Sequence, residues 1–156
     1  MLNTLIQVLP VIYFTAVAVP LVITDIREHR LPNKLTLPAI PLTLGSWLAL
    51  AVMDSNRWPD FAVAVGSAVI IFALGLGANA IGSLGMGDVK LAVGLVLMLA
   101  WFIGVWALLL PIVAGVVVAV HILVGVRLGI LRAGSSLAFG PHLIGSAVLL
   151  FGVGVF

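Results

Sequence analysis

Twelve charged residues cut the chain into five uncharged runs: 1–24, 35–53, 61–87, 91–126 and 133–156. Each run is dominated by apolar side chains. A helix that is apolar all round belongs in a bilayer or in a large core. One membrane crossing takes about 20 apolar residues. Four of the runs fit one crossing each, with a glycine-rich tail left over in 61–87. The run 91–126 has 36 residues, about 54 Å as a single helix. That is far more than the roughly 30 Å of hydrocarbon, so it reads as a hairpin of two helices. Trp101, Phe102, Gly104 and Trp106 lie at its middle, where interfacial aromatics and a turn residue place the bend. The pattern predicts six helices over 4–24, 35–53, 61–80, 89–103, 106–127 and 137–155.

Composition excludes the soluble alternatives. Hydrophobic residues make up 63% of the 156 positions and charged residues 8%. A soluble domain this small has too much surface for its volume to hide that much apolar area. A soluble enzyme, a disordered tail and a nucleic-acid binder are ruled out. The expectation is one integral-membrane domain over 1–156, all-α and polytopic, with the lipid bilayer as its first partner. The first run has no basic segment ahead of it and no small-residue cleavage site after it, so it reads as a retained helix. The chain has no cysteine, which removes thiolate catalysis and cysteine-ligated metals.

The few charges carry the topology. Arg27, Arg30, Lys34, Lys90, Arg127 and Arg132 fall in the loops after the first, third and fifth predicted helices, and Arg57 alone falls on the other side. By the positive-inside rule the six-cation side is cytoplasmic and both termini lie outside. The loop with Asp54, Arg57, Trp58, Pro59 and Asp60 reads as a solvated turn with an aromatic anchor.

Of the five acids, Asp54 and Asp60 belong to that outer loop, and Glu28 sits among Arg27, His29 and Arg30. Asp25 and Asp88 remain. One ends the first predicted helix and the other begins the fourth, so both reach the cytoplasmic edge and can meet there. Carboxylates in membrane helices are functional candidates by default. Asp88 stands in Gly85-Met86-Gly87-Asp88-Val89-Lys90. Glycines on this approach leave room for an extended peptide beside the carboxylate. Asp25 is followed by Leu31-Pro32-Asn33, the exit into the next helix.

A Gly-x-Gly-Asp-x-Lys after the third apolar segment, with an earlier Asp followed by Leu-Pro-Asn, resembles the bacterial prepilin peptidases of type IV and tight-adherence pili. Phe139-Gly140-Pro141-His142 at the head of the last helix resembles that family too. The resemblance implies a membrane aspartyl endopeptidase of the inner membrane, working at its cytoplasmic face. Its substrate would be a prepilin precursor, a membrane-inserted helix with a basic leader, cut after a glycine. It implies Asp25 and Asp88 as catalytic residues, with Gly85, Gly87, Lys90, Pro32 and Asn33 supporting them or the substrate. It implies no metal and no cofactor. Larger members add a cysteine-bearing cytoplasmic region and methylate the product. This chain has no cysteine and no room for that region between its helices, so methylation is not expected.

Two carboxylates can activate water without metal, serine or cysteine. One takes a proton from water while the other, protonated, polarises the scissile carbonyl. Asp88 at a helix N-terminus and Asp25 at a helix C-terminus suggest Asp88 as base and Asp25 as acid. Lys90 reads either as a headgroup anchor or as a cation tuning Asp88. His121 and His142 lack a partner at ligand spacing, and Asn79 reads as an interhelical hydrogen bonder. Rival readings are a proton-coupled transporter, which needs acids near mid-membrane, and a scaffold subunit of a secretion machine. The same chemistry on archaeal flagellin precursors is a closer rival.

Overall fold

A computed structural model describes residues 1–130 and 137–154. Among these residues every regular element is helical. Helix α1 covers Leu2–Glu28, α2 Asn33–Thr36, α3 Ala39–Met53, α4 Trp58–Ala80, α5 Met86–Ile103, α6 Leu110–Arg127 and α7 Gly140–Gly154. By length and composition four stretches can cross a membrane: Leu2–Glu28, Asn33–Met53, Ser55–Ala80 and Met86–Arg127. The apolar α7 is a shorter fifth helix. The chain is a multi-pass membrane protein.

The longest stretch breaks where aromatics and glycine place the bend. Gly104 has φ 59° and ψ −140°, a conformation that side chains exclude and glycine permits. A tighter helical turn, Gly104–Leu109, follows. Helix α6 then restarts with Pro111 in its first turn, where its missing N–H costs nothing. The predicted helix 35–53 divides instead. Pro38 follows Leu37 at the break between α2 and α3. The expected end of the last helix, at 155, lies outside the described residues, as does Arg132.

Three boundaries move in ways that matter for chemistry. Helix α1 runs on to Glu28, so Asp25 lies within its last turn. It ends at His29, whose backbone is left-handed (φ 49°) while its N–H caps the Asp25 carbonyl. Helix α5 starts at Met86, so Asp88 is its third residue. Helix α7 starts at Gly140 rather than 137.

Helix α5 is the axis of the bundle. Every residue from Leu91 to Trp101 is buried, and α1, α3, α4, α6 and α7 all touch it. Trp47 of α3 stacks on Trp101 (4.6 Å between centroids, 7° between planes). The Trp47 indole N–H also donates to the Leu97 carbonyl at 2.9 Å. Trp101 is therefore a core residue and not the interfacial anchor expected of it, whereas Trp106 is exposed. The turn between α3 and α4 is held by its own charges. Arg57 pairs with Asp54 (4.0 Å) and Asp60 (3.7 Å), and also lies 5.6 Å from the centre of the Trp101 ring.

Without a hydrophobic drive between helices in lipid, close packing at small residues holds such bundles together. Gly75 of α4 is one such place. A Cβ there would stand 2.6 Å from Cγ1 of Val89. Val89 is fully buried and follows Asp88 directly. Gly75→Ala gains about 1 kcal/mol of helix propensity. Overpacking against a stiff β-branched side chain costs about 1–3 kcal/mol. The substitution is therefore expected to lower the thermal midpoint in detergent. Adding Val89→Ala should restore part of the loss. A raised midpoint for Gly75→Ala alone would show that α4 and α5 are not in contact there.

Candidate active site

The last turn of α1 presents Asp25 inward, at 5% exposure. Burying a carboxyl demands a partner, and the partner is the first amide of α7. Gly140 N–H donates to Asp25 Oδ2 at 2.8 Å. The contact is tight enough to require glycine: a Cβ on Gly140 would lie 2.7 Å from the same oxygen. Asp25, which ends one helix, thus also caps the N-terminus of another.

Asp88 is placed by the loop before α5. Asn79 Nδ2 donates to the Leu84 carbonyl at 2.8 Å, and Gly82 turns the chain at φ 73°. The Asn79 bond is local to the loop and not interhelical, as the sequence had suggested. Gly85 leaves the loop in an extended conformation as the N-cap of α5. From the third position of α5 the Asp88 carboxyl lies back toward Gly85. A Cβ on Gly85 would approach Asp88 Oδ2 to 3.0 Å.

The segment between α1 and α2 joins the two acids. Leu31 is 9% exposed. Its side chain faces Gly87 on one side and Gly140 on the other. A Cβ on Gly87 would meet Leu31 Cβ at 3.1 Å, and one on Gly140 would meet Leu31 Cδ2 at 3.3 Å. Gly87 therefore admits Leu31 to the helix surface, and it also lines the cleft that holds Asp25 and Asp88. Pro32 is the N-cap of α2. Asn33 Oδ1 accepts from Lys90 Nζ at 3.0 Å. Lys90 makes no ion pair with Asp88 among the described residues. It ties the Leu-Pro-Asn segment to the first turn of α5.

Asp25 and Asp88 line one open cleft of about 370 Å³, together with His29, Arg30, Asn33 and Gly85. Every candidate residue named from sequence sits in or directly against this cleft, except that Pro32 contributes through the cap of α2. The contrast of helix ends drawn from sequence narrows. Asp88 stands at the N-terminus of its own helix, whereas Asp25 stands in the last turn of α1 and also at the N-terminus of α7, where the two helix dipoles oppose each other. Two carboxyls facing one water-accessible cleft can divide general-base and general-acid roles.

Two partners escaped sequence reasoning. Gly140 lies 115 residues from Asp25, and its only early signal was its place in Phe139-Gly140-Pro141-His142. His121 and His142, which show no ligand spacing in sequence, meet in space with Nδ1 and Nε2 2.8 Å apart.

The sequence model of the type IV leader peptidase family matches residues 12–120. The matched stretch holds Asp25, Asp88, α1 from residue 12 onward and all of α2 to α5, and stops before Gly140. No curated protein and no solved structure matches the chain.

Proposed function

The chain belongs to the type IV leader peptidase family, and on that premise we propose that it is an aspartyl endopeptidase whose catalytic pair is Asp25 and Asp88. A leader peptidase is a protease, and a protease must make water nucleophilic. One carboxylate accepts a proton from water as its oxygen attacks the scissile carbonyl carbon. The other, protonated, donates to the carbonyl oxygen. As the tetrahedral adduct collapses, the C–N bond breaks and a proton passes to the leaving amine. The observation that carries this reading is that the two aspartates, 63 positions apart in sequence, line the same cleft.

The substrate is a pilin-type precursor: an apolar membrane helix preceded by a short basic leader. Six crossings, with both termini outside, put the cleft at the cytoplasmic rim. Arg30 and Lys90 line the cleft, and Arg27, Lys34 and Arg127 lie at the ends of α1, α2 and α6. The junction between leader and helix then reaches Asp25 and Asp88 without leaving the interface. A proton-coupled transporter fits less well. Its acids belong near mid-membrane, whereas Asp25 is in the last turn of α1 and Asp88 in the first turn of α5.

Co-expression with a pilin-type precursor tests the reading. Mass spectrometry of the precursor should show its leader removed at a single bond, with an unmethylated new N-terminus. A precursor left intact by the folded, membrane-inserted chain overturns the substrate assignment.

A further inference from the structure

His142 makes two ring contacts. Its Nδ1 lies 2.9 Å from the Ala138 carbonyl oxygen, and its Nε2 lies 2.8 Å from His121 Nδ1. A carbonyl can only accept, so Nδ1 of His142 carries the hydrogen. A neutral imidazole with Nδ1–H has a lone pair on Nε2. His121 Nδ1 must then be the donor in the second contact. The chain of bonds has one direction, from His121 to His142 to Ala138, and the tautomer of each ring follows from it.

The same residue also acts through its backbone. His142 N–H donates to the Phe139 carbonyl at 3.1 Å. That carbonyl shares a planar trans peptide with the Gly140 N–H, and the two point in opposite directions. Fixing the carbonyl on His142 aims the amide at Asp25 Oδ2, which it meets at 2.8 Å. The Leu143 N–H donates to the same carbonyl at 3.1 Å and shares that hold. The peptide before is held through the His142 ring, on the Ala138 carbonyl.

Packing does not account for these rings. His121 is exposed and His142 is only half-buried. Both line a cavity of about 820 Å³, together with His29 and Pro141. All three histidines of the chain open onto that cavity, and His29 also lines the acid cleft. What the His121 and His142 rings contribute is hydrogen bonding.

We propose that His142, in the Nδ1–H tautomer fixed by the Ala138 carbonyl and matched by His121, is a positioning residue that holds the Gly140 amide on the Asp25 carboxyl. The proposal rests on the reading of Asp25 as one of the catalytic pair. Groups that orient a reacting group through an intermediary change rates by about 10–100-fold when removed. His121 and His142 would therefore govern turnover without touching the substrate.

Two isosteres separate the ring nitrogens. Asn places an amide nitrogen where Nδ1 stands, and Gln places its amide near Nε2. In detergent-solubilised full-length chain acting on a pilin-type precursor, His142→Asn should keep kcat within about threefold of wild type. His142→Gln should lose about tenfold or more in kcat with KM little changed. Equal losses in both variants, or none in His142→Gln, overturn the proposal. A second readout does not need cleavage. The ¹⁵N shifts of the wild-type His142 ring should report a proton on Nδ1. The Gly140 amide resonance should move in His142→Gln and stay in His142→Asn. A wild-type Nε2–H tautomer overturns the proposal even if the chain proves inactive on the precursor. Failure of wild type and of Asp25→Asn alike to differ in cleavage strikes instead at the catalytic reading. If His142→Gln does not fold, His142→Asn and the wild-type tautomer still decide the outcome.

Discussion

Asp25→Asn and Asp88→Asn are each expected to reduce leader cleavage by about 10³-fold or more while leaving the protein folded in the membrane. The magnitude follows from the roles. One positioned proton acceptor or donor contributes about 10²–10⁴-fold, and here each carboxyl must do both jobs in turn. Asparagine keeps shape and hydrogen-bonding capacity but neither takes nor gives a proton at neutral pH. Geometry makes the test clean at Asp25, because an amide oxygen can still accept from the Gly140 N–H that meets Oδ2 at 2.8 Å. The buried amide of α7 is then not orphaned, and the loss reads on chemistry rather than on stability. At Asp88 the side chain is half-buried at the mouth of the cleft, so the stability cost is smaller still. Cleavage by immunoblot and membrane content by fractionation, measured on the same cells, check both points. Near wild-type cleavage in either single variant would sink the two-carboxylate reading and leave the family's peptidase activity to be explained by other residues.

Gly140→Ala is expected to cost about 10²-fold in cleavage with little loss of stability. The added methyl would arrive 2.7 Å from Asp25 Oδ2 and 3.3 Å from its Cγ, so the carboxyl must move or α7 must back away. A displacement on the order of 1 Å at a reacting group costs about 10²-fold. Stability has an opposing term. Alanine is a better helix former than glycine by about 1 kcal/mol, which offsets the crowding at this first position of α7. The control is Gly145→Ala in the same helix, where a Cβ meets nothing within 4 Å; it should cleave like wild type. If Gly140→Ala cleaves normally, the contact between α7 and Asp25 is not part of the working enzyme. Gly85→Ala should fall between the two, because its methyl would approach Asp88 Oδ2 only to 3.0 Å.

The sequence by itself determined a great deal here, for one physical reason. A bilayer penalises charge and unsatisfied backbone, so the positions of twelve charges mark out the helices almost unaided. The break at Gly104, the turn that holds Asp54, Arg57 and Asp60, and the isolation of Asp25 and Asp88 were all legible that way; the ion pairs within that turn were not. The motif carried both aspartates and the Leu-Pro-Asn segment to one end of the bundle.

What the tertiary structure alone decided is which face of each helix turns inward. In water an apolar stripe marks the buried face. In lipid the outside is apolar too, and nothing in α5 or α7 marks the side that meets α1. So the pattern could not say that α5 is the central helix, that Trp101 is core, or that Lys90 reaches Asn33. Nor could it bring Gly140 to Asp25 across 115 residues, or His121 to His142 across 21. Those contacts depend on helix rotation and close approach at glycines, which is packing. They also offset the one electrostatic difference read from helix ends, by giving Asp25 the N-terminus of α7 as well as the C-terminus of α1. Charge scarcity selected the two carboxyls, and packing supplied the partners that hold one of them in place.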